Sequence, residues 1–162
     1  MPKGVMWRHD DLFKVLGAGG NVRLGEPPCA DMTELLGRLK ANPRTVNLPL
    51  PPIMHGTGLL SAVGAMASGG TCITLTSRSF EPELALENIT KHKVTQVTIV
   101  GDAFARPMLE VLDENPGKYD ISSVGVINSS GVMWTKEIKA GLLKHNQNVL
   151  LSDAFSSSEA IG

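Results

Sequence analysis

Residues 94–112 read VTQVTIVGDAFARPMLEVL, and this stretch decides the fold. Its first seven residues are dominated by Val, Thr and Ile, whose branched Cβ atoms favour a strand over 94–100. Gly101 breaks the run, and the pattern turns helical over 103–112, with Pro107 expected to mark a break near the start of that helix. The same alternation extends outward. A strand is expected over 71–76. A helix is expected over 82–92, with Pro82 in its first turn and Leu84, Leu86 and Ile89 on its apolar positions. A strand at 124–127, a helix at 135–144 and a strand at 149–151 follow. Strands alternating with helices predict an α/β fold, layered around a sheet of parallel strands.

The first half of the chain is less regular. A short strand is expected over 5–8. Asp10 and Asp11 can cap a helix running to about residue 16, ended by Gly17-Ala18-Gly19-Gly20. A second helix is expected over 31–40, from the spacing of Met32, Leu35, Leu36 and Leu39. Residues 48–53 are extended and proline-rich, and lead into Met54-His55-Gly56-Thr57-Gly58. Residues 59–67, rich in Ala, Gly and Ser, form either a buried helix or one that a ligand can approach closely.

Composition narrows the function classes. The 162 residues carry 15 Lys+Arg against 16 Asp+Glu, a net charge of -1 that gives no electrostatic case for nucleic acid or an anionic membrane. Aromatics at 4% argue against base-stacking platforms. Cys29 and Cys72 are too few for a disulfide framework and read as reduced thiols. His9, His55, His92 and His145 lack metal-ligand spacing. There is no Gly-x-Ser-x-Gly elbow. The sequons at Asn88 and Asn128 lack a secretory signal, and the longest apolar run is too short for a membrane span. These readings place the protein in the cytoplasm.

Three polar segments follow extended stretches: His55-Gly56-Thr57-Gly58, Ser129-Ser130-Gly131 and Phe155-Ser156-Ser157-Ser158-Glu159. Ligands of parallel α/β sheets bind at the carboxyl ends of strands, where small residues let backbone N–H groups reach phosphates. An aromatic ring, three hydroxyls and a carboxylate within five residues can hold a purine, a phosphate and Mg²⁺. The same composition also describes a serine-rich surface turn.

Four motifs in order resemble the adenylate-forming (AMP-binding) superfamily, and within it a bacterial fatty-acyl-CoA synthetase. Pro2-Lys3-Gly4-Val5 resembles the end of the family's phosphate-binding loop. Residues 52–58 resemble the segment bordering the carboxylate substrate. Ser130-Gly131-Val132-Met133-Trp134 takes the place of the adenine-binding stretch. Residues 153–159, Asp-Ala-Phe-Ser-Ser-Ser-Glu, resemble the motif Asn/Asp-x-aromatic-Gly-x-Thr/Ser-Glu. Ser156 stands where that motif has Gly, and Ser129 and Ser130 stand where glycines are usual.

The resemblance implies part of the large N-terminal domain of such an enzyme. Residues 1–162 would be a partial adenylation domain, cut at both ends, without the mobile C-terminal domain and inactive alone. It implies ATP, Mg²⁺ and CoA as cofactor and co-substrates, and a carboxylic acid, fatty or otherwise bulky and apolar, as substrate. Phe155 would pack against adenine, Asp153 would accept from its amine, and Gly131 and Val132 would offer backbone to its other face, next to Ser130. Ser158 would bind the α-phosphate, Glu159 would hold Mg²⁺, and Lys3, beside Gly4, would face the β- and γ-phosphates. His55 and Gly56 would border the acyl-adenylate, and Val100, Gly101 and Asp102 would line the acyl tunnel. Two alternatives remain: an amino- or aryl-acid adenylating domain that loads a carrier protein, and a non-catalytic nucleotide-binding module of the same fold.

Overall fold

A computed structural model describes residues 4–18, 27–41 and 44–155. The element order is α1 (His9–Val15), α2 (Met32–Ala41), β1 (Val46–Pro49), α3 (Gly56–Ala67), β2 (Thr71–Cys72), α4 (Pro82–His92), β3 (Gln96–Ile99), α5 (Asp102–Glu114), β4 (Val126–Ser130), α6 (Lys136–His145) and β5 (Leu150–Ala154). The strands form one five-stranded sheet in the order β2-β1-β3-β4-β5, with every neighbouring pair parallel. The expected α/β layering with parallel strands is therefore what the chain adopts.

Pairing in register decides which side chains share a face. Leu48 aligns with Val97, and Val97 with Ile127. These residues join Leu86 and Ile89 of α4, Met108 and Leu112 of α5, and Ile138 and Leu142 of α6 in one apolar core. The opposite face is polar. Thr98 aligns with Asn128 and Asn128 with Ser152, whose hydroxyl donates to Asn128 Oδ1 at 2.8 Å. Helix α3 lies on that side. Its Ser61 carbonyl and hydroxyl accept from Asn47 Nδ2 at 3.1 and 2.9 Å, and its hydroxyl meets Thr98 Oγ1 at 2.6 Å. With α3 on one face and α4 to α6 on the other, the sheet changes winding direction between β1 and β3, and a ligand crevice opens at the carboxyl ends beside such a point.

Local chemistry explains most boundaries. Asp31 Oδ1 accepts from the Glu34 amide at 2.9 Å while Glu34 Oε2 accepts from the Ala30 amide at 2.8 Å, a reciprocal cap that starts α2. Helix α4 begins at Pro82 as expected and ends at Lys93, which takes a left-handed conformation (φ 49°).

Four expectations are corrected. Residues 4–8 form no strand, since no strand among the described residues pairs with them, and Met6 is left exposed. Strand β2 is only Thr71–Cys72, because its partner β1 runs into Pro49, Pro51 and Pro52, which carry no N–H for a longer ladder. Helix α5 passes through Pro107 without a break. Pro107 lies in the second turn, where its missing N–H costs a single bond, to the carbonyl of the exposed Ala103. Strands β4 and β5 run further than the sequence pattern suggests, so Ser129, Ser130, Asp153 and Ala154 are strand residues instead of loop residues.

Candidate nucleotide and acid site

The expected site segments leave the sheet at one edge. Residues 50–55 follow β1, Val100-Gly101-Asp102 follows β3, residues 131–135 follow β4, and Phe155 follows β5. Parallel strands put all four carboxyl ends on the same side. Lys3, Ser158 and Glu159 lie outside the described residues, and Gly4 is exposed in an irregular segment.

After β1 the chain turns at Pro51 and Pro52 and enters α3. His55 is the N-cap of that helix, and its Nδ1 accepts from the Thr57 amide at 3.2 Å. Gly56 is the first helical residue. Gly58 is buried against the turn, where a Cβ would sit 2.6 Å from the carbonyl oxygens of both Pro51 and Pro52. The glycine of this motif thus has a packing reason. It lets the first turn of α3 lie directly on the proline segment.

The turns after β3 and β4 are joined. Gly101 has φ 56° and ψ -155°, a conformation essentially reserved for glycine. Its amide donates to Ser129 Oγ at 2.9 Å, and the same hydroxyl donates to the Val132 carbonyl at 2.8 Å. A Cβ at Gly101 would lie 3.2 Å from Val132 Cγ1. Asp102 completes the junction. Its Oδ1 accepts from the Thr135 amide at 2.9 Å, and its Oδ2 accepts from the Thr135 hydroxyl at 3.1 Å and from Arg106 at 2.9 Å. The Thr135 amide bond, with further help from the Thr135 hydroxyl and Arg106, holds this carboxyl below the usual carboxylate range. Gly131 continues from the buried Ser130 with φ 90°.

Strand β5 brings the remaining groups. Ser130 aligns with Ala154, so the next residues, Gly131 and Phe155, leave adjacent strands side by side. Phe155 is 99% exposed. Asp153 points to the helical face, where it pairs with Lys139 of α6, and Lys139 Nζ also lies 5.3 Å from the centre of the buried Trp134 ring. The structure therefore brings Val100, Gly101, Asp102, Gly131 and Val132 into one junction and places Asp153 and Phe155 beside it. His55 and Gly56 lie on the same edge of the sheet, with His55 bonded within its own turn.

Sequence reasoning missed Thr135, Arg106 and Lys139. Arg106 stands four residues after Asp102, a helical spacing that was open to reading, whereas Thr135 and Lys139, 33 and 14 positions from their acidic partners, leave no periodic signal. Ser129 was visible as part of the polar segment 129–131 and as a departure from glycine, but its bonds to Gly101 and Val132 were not. Among the described residues no three His, Cys, Asp or Glu side chains gather into a metal site, and no helix is long and apolar enough to cross a membrane. Cys29 and Cys72 are free, and burial raises the Cys72 thiol above its usual value.

A parallel α/β sheet with glycine turns gathered at the carboxyl ends of its strands defines a class of domain that binds its ligands at that edge. The AMP-binding enzyme family matches residues 1–162, and the chain belongs to that family. Among curated relatives, a medium/long-chain-fatty-acid–CoA/3-oxocholest-4-en-26-oate–CoA ligase of Mycolicibacterium smegmatis is 37% identical over 98% of this chain and 29% of its own length. A 3-oxocholest-4-en-26-oate–CoA ligase of Rhodococcus rhodochrous is 38% identical, again over 98% and 29%. A solved long-chain-fatty-acid–CoA ligase from Archaeoglobus fulgidus shares the fold, with a TM-score of 0.71 at 18% identity over 98% of this chain and 29% of that one. The chain thus spans about 29% of the length of these relatives.

Proposed function

We propose that the chain is the nucleotide- and acid-binding segment of an ATP-dependent acyl-CoA ligase that acts on a fatty or other bulky apolar acid. A carboxylate oxygen attacks the α-phosphorus of ATP and pyrophosphate leaves. The CoA thiolate then attacks the acyl carbon of the acyl-adenylate and AMP leaves. The first step needs in-line positioning and charge neutralisation at the phosphorus more than a protein nucleophile, which suits small polar turns at strand ends.

One observation carries the reading: Phe155, with its ring uncovered, stands next to the side-chain-free backbone of Gly131, on adjacent strands. A flat purine fits between a ring face and a bare peptide. Asp153 accepts from the purine amine through whichever oxygen Lys139 leaves free, and Val132 offers its backbone. Ser158 takes the α-phosphate, and Lys3 faces the outer phosphates. Mg²⁺, when bound, would neutralise phosphate charge, and Glu159 is the hard oxygen donor assigned to it. His55, Gly56, Val100 and Gly101 border the acid. The fatty-acid and sterol-acid ligases among the relatives favour an apolar acid over an amino acid. Free cysteines suit a cytoplasmic setting.

The test is acid-dependent exchange of labelled pyrophosphate into ATP by the full-length protein, across acyl lengths, sterol acids and amino acids. Exchange with apolar acids, lost in Glu159→Gln, is the expected result. Absence of exchange with every carboxylic acid would remove the reading.

A further inference from the structure

We propose that Asp102 is a positioning residue that holds the loop at 131–135 in its nucleotide-receiving shape, instead of a residue that touches the acid. The inference rests on the reading that Gly131 and Val132 face the purine. Both Asp102 oxygens are already engaged, by the Thr135 amide, the Thr135 hydroxyl and Arg106. The carboxylate therefore bridges the first residue of α5 and the N-cap of α6, two helix ends whose amide dipoles favour a negative charge.

The loop has little else to fix its near part. Val132 is 58% and Met133 78% exposed, and the apolar anchor is Trp134, just before the bridge. Two polar pins define its path. Ser129 Oγ holds the Val132 carbonyl, and Asp102 holds Thr135. Each pin also reaches the turn after β3, since the same Ser129 hydroxyl accepts from Gly101 and Asp102 follows Gly101 directly. The turn at Val100-Gly101-Asp102 is thereby tied to the loop at 131–135 through hydrogen bonds of 2.8 to 3.1 Å.

The experiment compares Asp102→Ala, Thr135→Val and Thr135→Ser in the full-length protein, using steady-state kinetics and amide hydrogen exchange. Losing charge-assisted bonds worth a tenfold change or more predicts that Asp102→Ala raises KM for ATP about tenfold and leaves KM for the acid within about twofold. Exchange at 131–135 accelerates by a similar factor while the amides of α4 stay protected. Thr135→Val shifts KM for ATP in the same direction, and Thr135→Ser, which keeps both donors, restores it. A raised KM for the acid with unchanged KM for ATP and unchanged loop exchange would overturn the proposal. Should Asp102→Ala also expose α4, the threonine pair decides: Thr135→Val matching wild type overturns the proposal, and a defect rescued by Ser supports it. Should the wild-type protein exchange no pyrophosphate, the ligase reading falls. Loop exchange then judges the bridge alone: faster exchange in Asp102→Ala supports it and unchanged exchange overturns it.

Discussion

Replacing Gly58 by Ala sets helix propensity against packing, with opposite signs. Propensity alone predicts a gain of about 1 kcal/mol for Ala over Gly inside a helix. The structure predicts a loss. The new Cβ would lie 2.6 Å from the carbonyl oxygens of Pro51 and Pro52, about 0.7 Å inside a close C···O approach of about 3.3 Å. Both atoms belong to backbone, so no side chain can swing away. Overpacking of this kind costs about 1–3 kcal/mol, and a double backbone contact belongs at the upper end. The net loss is about 1–2 kcal/mol. With a urea m-value of about 2 kcal/mol/M, the middle of the usual range, the unfolding midpoint should fall by about 0.5–1 M. Gly37→Ala is the matched control. It lies exposed within α2, and its Cβ would meet nothing within 4 Å, so its midpoint should rise. Urea unfolding followed by circular dichroism reads both. A rise in the midpoint for Gly58→Ala, parallel to that of Gly37→Ala, would refute the packing argument.

Leu86→Ala, at the fully buried centre of α4, should cost about 2–5 kcal/mol by the same measurement. Phe155→Ala should raise KM for ATP in the full-length protein with little change in stability, because the ring is uncovered; an unchanged KM contradicts its role against the purine. Acid should destabilise the chain in a defined window. Asp120, held by Lys93 and then by Ser122, and Asp102, held by Thr135, both have carboxyls below the usual carboxylate range. Their unfolded forms bind protons first as pH falls, so the stability they provide is present above about pH 4 and is lost progressively below it. Urea midpoints should be flat from pH 6 to 5 and fall below 4, and Asp120→Asn should make the fall shallower. A fall as steep as wild type in Asp120→Asn would count against the Lys93 pair.

The layered α/β fold was legible because long β-branched runs and spaced leucines survive averaging. Residues 82–92 were expected and found as a helix, residue for residue. What failed was set by partners distant in sequence. Val5 and Met6 have a strand's side chains but no neighbouring strand among the described residues. Thr71–Cys72 ends early because of prolines on β1. Pro107 looked like a breaker until α5 proved able to spare one bond. At the site, motif residues could be named, but their wiring could not. Nothing local in Val100-Gly101-Asp102 announces that its carboxylate reaches Thr135, 33 residues on.

The polar side of the sheet has a consequence for assembly. Parallel strands can slip past one another, and in strands that are apolar on both faces a slip by one residue costs little. Here Asn47, Thr98 and Asn128 line one face, with Ser61 of α3 hydrogen-bonded to the first two. A slip of one residue in β3 would carry Thr98 towards Leu86 and Ile89 and strand its hydroxyl among hydrocarbon, at a cost of about 1–3 kcal/mol. The amide and hydroxyl row acts as a proofreading ruler, admitting a single alignment of the central strands and so fixing which residues emerge at the working edge.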